Sequence, residues 1–165
     1  MKEVMHRQAT DNAYLHKDFH GALSCGIEHL HEHYGEQAVR DYLREFTVTF
    51  YAPLKAALCE RGLIALMEYY ESTYRQEGGD VQFDLTEDEL SIRVAACPAV
   101  QHMRAHSQPV ARLFHETTRT VNEALCEGTP YAAELLGYDP QTGRSVQRFR
   151  RRPAGPRAAA PRSRP

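Results

Sequence analysis

Apolar residues recur at intervals of three and four through the first half of the chain, then switch to strict alternation. Leu15, Phe19, Leu23, Gly26 and Leu30 share one side of a helix predicted from about Asp11 to Tyr34, and Gly35 supplies its stop. A second helix is predicted from Glu36, with Val39, Leu43, Phe46, Phe50 and Leu54 on one face. Pro53 should kink it, or break it and begin the next piece. A third helix uses Leu63, Leu66, Met67, Tyr70 and Tyr74 and stops at Gly78-Gly79.

The period then becomes two. Val81, Phe83 and Leu85 alternate with polar residues, as do Leu90, Ile92, Val94 and Ala96 beyond the turn Thr86–Glu89, which predicts a β-hairpin with one apolar face. A short helix should follow Cys97-Pro98 and end near His106, and a longer one should run from about Val110 to Glu127. A second hairpin, YAAELLGY and SVQRFRR, is expected around Asp139-Pro140-Gln141-Thr142-Gly143, a type I turn followed by a left-handed residue. The fold class is therefore α+β: an antiparallel sheet of about four strands in two hairpins, with about five helices packed against one face.

Length and composition add limits. The chain has 165 residues, enough for one domain with a proper core, read as residues 1–152. Eight arginines lie beyond Asp139, the last acidic residue, so residues 1–143 hold 12 basic against 22 acidic side chains and carry about −10. Residues 153–165, rich in Arg, Pro and Ala and without periodicity, are expected to be a disordered tail. No apolar run is long enough to span a membrane, and MKEVMHRQATDNAY lacks the apolar core of a secretory signal. The four cysteines are far apart, so free thiols and a cytoplasmic location are expected. Nothing resembles a nucleic-acid-binding fold. Gly-rich phosphate loops, G-x-S-x-G elbows and H-E-x-x-H helices are absent from the sequence.

Chemistry could sit in two places. Cys97 is placed at the N-cap of the short helix, where unpaired N–H groups and the helix dipole favour a thiolate. His102 and His106, four residues apart, share a face of that helix. Three readings stay open: Cys97 as nucleophile with His102 moving protons, a metal such as zinc held by the trio with His20 or Cys126, or a small buried cysteine beside surface histidines. On the longer helix, His115, Arg119, Asn122 and Cys126 fall within about 60° of one another. Such a stripe could hold a small carboxylate, Arg119 gripping it as a fork and Asn122 orienting it, or could simply be solvated. Glu116, Glu123 and Glu127 form a third, charged face. His20, beside the apolar stripe of the first helix and four residues from His16, is a further candidate for a pocket wall. His29, His31 and His33 alternate and scatter round the helix.

From His16-Lys17-Asp18-Phe19-His20-Gly21 through Tyr51-Ala52-Pro53-Leu54 and Cys97-Pro98 to the run Glu116–Thr129, the chain resembles the L-2-amino-thiazoline-4-carboxylic acid hydrolase family, over roughly residues 14–152. Its final helix, Gly-Thr and hairpin also look like the ligand-binding domains related to 4-vinyl reductases. The resemblance implies a hydrolase acting on a carbon–nitrogen bond other than a peptide bond. It would open a cyclic amidine to give N-carbamoyl-L-cysteine or a related product. The resemblance carries no residue set of its own, but the candidates read from the helices are compatible with that chemistry: Cys97 and His102 would be catalytic, and Arg119, Asn122, His115, Cys126 and His20 would bind a small carboxylate-bearing substrate. The alternative is a non-enzymatic sensor or carrier, or a metal-binding module, on the same fold. No oligomeric state follows from the sequence.

Overall fold

The computed structural model describes residues 18–153. The elements are α1 (Asp18–Phe50), α2 (Ala52–Arg61), α3 (Leu63–Glu77), β1 (Val81–Leu85), β2 (Glu89–Val94), α4 (Pro98–Ala105), α5 (Glu116–Cys126), β3 (Tyr131–Tyr138) and β4 (Ser145–Arg151). The expected start of the first helix, with Leu15 and His16, lies outside the described residues, as does the tail beyond Pro153. No described helix is long and apolar enough to cross a membrane.

The sheet is antiparallel with strand order β1-β2-β4-β3, so the two hairpins join through β2 and β4. Leu90 lies opposite Phe149 and Ile92 opposite Gln147, which sends Leu90, Ile92, Val94, Gln147 and Phe149 to one buried face. Arg148 and Arg150 point the other way and pair with Glu134 of β3 on the outer face. Leu58, Leu63 and Leu66 of α2 and α3, with Leu125 and Cys126 of α5, close the apolar face. A second cluster, outside that layer, joins Ile27, Val39 and Leu43 of α1 to Val100 and Met103 of α4 and to Phe114 and Val121.

Gly35 divides α1. Its φ of 83° and ψ of 177° are not helical, and glycine alone reaches them without strain. A straight helix of 33 residues would be about 50 Å long. Yet Ile27, before Gly35, and Val39 and Leu43, after it, pack into one cluster. The two limbs therefore fold back on each other. The stop expected at Gly35 is a reversal between paired limbs, and Pro53 begins α2 rather than kinking its predecessor.

Two sequence expectations need correcting here. Phe19 and Phe50, assigned to buried faces, are 58% and 62% exposed; Ile27, Val39 and Leu43 carry the contact instead. The helix expected from Val110 starts at Glu116. The preceding loop is pinned to α1: Ala111 N–H donates to Ser24 Oγ at 2.8 Å and Arg112 N–H to Glu28 at 2.9 Å. Those amides are used across the structure, so the chain from Ala111 makes tight i→i+3 turns until Glu116.

Candidate functional site

Cys97 sits where its sequence context put it. It is the N-cap of α4 in extended conformation (φ −73°, ψ 121°), Pro98 opens the helix, and Cys97 N–H donates to Thr142 C=O at 2.9 Å. Its chemistry differs from the expected thiolate. Burial pushes the thiol pKa up, the amides of Val100 and Ala99 pull against it, and the charge of Glu77 adds to the rise. Burial outweighs the helix terminus, so Cys97 is a neutral thiol at pH 7.

The histidines of α4 do not join it. Five residues separate Cys97 from His102, about 140° around the helix. Pro98, Ala99, Val100 and Met103 take the buried side. His102 and His106 stack on each other with centroids 4.2 Å apart, and His106 Nδ1 lies 2.8 Å from His102 C=O. No group of three or more His, Cys, Asp or Glu among the described residues is arranged to hold a metal. The structure thus does not assemble Cys97, His102 and His106 with His20 or Cys126.

The α5 stripe divides in two. Asn122 and Cys126 are buried against the sheet and α3. Asn122 accepts from Tyr70 Oη at 2.6 Å and donates to Gln147 Oε1 at 2.9 Å, while Gln147 Nε2 reaches Ser145 Oγ at 3.2 Å. Both ends of the Asn122 amide are committed inside the protein, so it has no free grip for a carboxylate. Burial pushes the Cys126 thiol up to about 12.

His115 and Arg119 instead turn to Glu116, which the sequence placed on a solvated face and which is fully buried. Glu116 accepts from Thr120 Oγ1 at 2.7 Å, and Arg40, Arg119 and His115 each approach its Oε1 to 3.3 Å. Burial alone would raise its pKa; the Thr120 bond, the Arg40 bond and charge, and His115 overcome that and hold the carboxyl below its ordinary value. Glu116 ties the second limb of α1 to α5. Arg119 serves that clamp.

A different group of residues does converge, where the start of α1, the end of α3 and the start of α4 meet. His20 Nε2 lies 3.5 Å from Glu77 Oε1, with side chains 18% and 11% exposed. At 3.5 Å this is an ion-pair approach rather than a made hydrogen bond, and the buried Nε2 has no hydrogen-bond partner among the described residues. The charge of Glu77 is felt by Tyr51, Tyr74 and Cys97. Burial holds both tyrosine hydroxyls protonated far above neutral pH, with the Tyr69 neighbour acting further on Tyr51 and the Cys97 neighbour on Tyr74. Gln147 acts on the Tyr74 hydroxyl as well, so the junction lies beside the Tyr70–Asn122 chain.

Two of the sequence candidates, His20 and Cys97, belong to this junction; Glu77 was missed. Its signal was present: a carboxylate in the last turn of a helix faces the negative end of the dipole, a place that favours basic residues. The junction supplies a carboxylate next to an imidazole, two phenol donors and a neutral thiol. That set can move a proton and hydrogen-bond a developing anion.

Two open concavities lie elsewhere. One, of about 670 Å³, crosses the outer sheet face over Gln82, Arg93, Val146 and Gly137 and reaches Tyr138 and Arg144. The other, of about 480 Å³, lies between α1 and the 109–112 loop. No family model, curated protein or solved structure matches the chain.

Proposed function

We propose that the chain is a small hydrolase of the L-2-amino-thiazoline-4-carboxylate type, working at the junction of α1, α3 and α4. The observation that carries this reading is the His20–Glu77 pair, 3.5 Å apart and only 18% and 11% exposed, beside Cys97, Tyr51 and Tyr74. The roles first given to His102, Arg119 and Asn122 are withdrawn, because each is engaged elsewhere.

His20 takes a proton from water as the water oxygen bonds to the amidine carbon, and Glu77 stabilises the imidazolium that forms. The C=N electron pair moves to the ring nitrogen, which takes the proton of the new hydroxyl as the tetrahedral carbon collapses to a carbonyl and one ring bond breaks. N-carbamoyl-L-cysteine keeps both nitrogens on that carbon, so this product requires the carbon–sulfur bond to break, not the ring carbon–nitrogen bond. The sulfur leaves as a thiolate and takes the proton back from His20. Tyr51 and Tyr74, protonated at neutral pH, are the donors available to the developing negative charge. Cys97 enters this scheme as a neutral wall.

The test is turnover of L-2-amino-thiazoline-4-carboxylate with the product identified by mass. Glu77→Gln should lower kcat by about 100-fold or more, the usual contribution of a positioned acid–base group, and His102→Gln should stay within about threefold of the parent. Absence of turnover by folded protein, or a Glu77→Gln variant as fast as the parent, would overturn the proposal. The second reading, a small-molecule carrier or sensor, is favoured by the neutral Cys97 thiol and gains if the compound binds without being changed.

A further inference from the structure

Large apolar side chains in water are few among the described residues, and two of them touch residues of the proposed site. Phe19, 58% exposed, meets the His20 ring edge-on with centroids 6.2 Å apart. Phe50, 62% exposed, meets Tyr51 at 5.1 Å and 87°. Phe46 stacks on Phe50 at 5.1 Å and 13°, and Tyr51 continues inward to Tyr69 at 5.9 Å and 90°. A continuous series of rings therefore runs inward from solvent through Tyr51, and a second exposed ring stands beside His20. His20 lies 3.5 Å from Glu77 and Tyr51 feels the charge of that carboxylate. The two limbs of α1 pack together through Ile27, Val39 and Leu43, so Phe19 and Phe50 stand at the same end of the paired limbs, each next to a residue of the junction. Neither ring is covered by described protein, although exposing one to water is unfavourable.

We propose that the ligand of this site carries a planar, apolar ring group that packs on Phe19, Phe50 and Phe46 while its polar end reaches His20 and Glu77. The natural substrate is then an aromatic or ring-extended compound, larger than the bare amino-thiazoline. This rests on the placement of the site at the His20–Glu77 pair. It needs no particular reaction there. Flat rings suit the geometry because an offset stack on Phe50 and an edge contact with Phe19 are the two arrangements aromatic pairs favour.

The test uses 1-anilinonaphthalene-8-sulfonate, an aromatic probe with one anionic group, titrated onto the folded full chain and read by its fluorescence. The expected result is saturable binding of one probe per chain, weakened about fivefold by Phe19→Ser and by Phe50→Ser, the range of a single aromatic contact. Leu136→Ser, which removes an exposed apolar residue (52%) from the outer sheet face, should leave binding unchanged. All three side chains are exposed, so the variants keep the buried core, and cooperative urea unfolding confirms that each is folded. Unsaturable binding, or equal weakening in Leu136→Ser, would overturn the proposal, as would parental binding in both phenylalanine variants. Glu77→Gln separates the two ideas. Full activity in that variant with probe binding still lost in the phenylalanine variants removes the catalytic reading and leaves the ring seat standing.

Discussion

Asn122 gives the sharpest contrast between a residue read as a ligand contact and one found to be structural. Asn122→Leu keeps the branched shape, with bulkier methyl ends, and removes both polar groups. Two hydrogen bonds disappear, from Tyr70 at 2.6 Å and to Gln147 at 2.9 Å, each worth about 1 kcal/mol net. The Tyr70 hydroxyl, on a partly buried ring, is then left without an acceptor, a further penalty of about 1–3 kcal/mol. Gln147 suffers less, because it retains Ser145. The added apolar surface of leucine offsets about 1 kcal/mol. The net expectation is a loss of about 3 kcal/mol, a large share of the roughly 5–15 kcal/mol that holds a domain folded. Equilibrium urea unfolding followed by far-UV circular dichroism reads it directly. Adding Tyr70→Phe to Asn122→Leu should cost less than the two singles summed, because the orphaned hydroxyl is gone. A loss under about 1 kcal/mol, together with a raised KM for the thiazoline, would refute this account and return Asn122 to a ligand.

Other expectations follow from the same geometry. Iodoacetamide at pH 7.5 should label exposed Cys25 and Cys59 well before Cys97, and leave Cys126, held at about 12, unmodified until the protein unfolds; mass mapping of the labelled peptides checks the order. Gly143→Ala should lower Tm more than Gly35→Ala, although both positions have positive φ. A Cβ at Gly143 would collide with Cys97 and lie 2.9 Å from Val100 Cγ2, whereas at Gly35 it would meet nothing. Glu116→Gln should destabilise by about 2 kcal/mol at pH 7, less than a fully buried pair because Arg40 and Arg119 are 36% and 40% exposed. The Glu116 pKa is lowered on folding, so its contribution is present above the ordinary carboxylate range and fades as pH falls through the lowered value. Urea midpoints of parent and variant should therefore converge in acid.

Much of the fold was legible because periodicity reports burial. The change from a 3.6 to a 2 repeat at Val81 located the first hairpin, and Asp139–Gly143 located the second, where Asp139 Oδ1 accepts from Gln141 N–H and Gly143 has φ 68°. What periodicity could not convey was pairing between distant segments. Glu116 reads as one more acid on a charged face until Arg40, 76 residues away, is placed against it. Cys97 was located correctly, but its protonation depended on how deeply the β3–β4 turn and Val100 bury it, a tertiary fact. Arg119, Asn122 and His115 do share a helix side, yet the buried Glu116 claims two of them and the sheet the third. Glu77 and His20 are 57 positions apart in the chain and share no pattern. Only the reversal at Gly35 brings them together.

The most direct test of the site's location is a titration of the histidine ring resonances with L-2-amino-thiazoline-4-carboxylate, followed by two-dimensional NMR of the imidazole groups. The account predicts that His20 shifts with saturation, that Glu77→Gln weakens this response, and that His102 and His106 stay in place. Saturating shifts at His102 or His115 with His20 unmoved would contradict it.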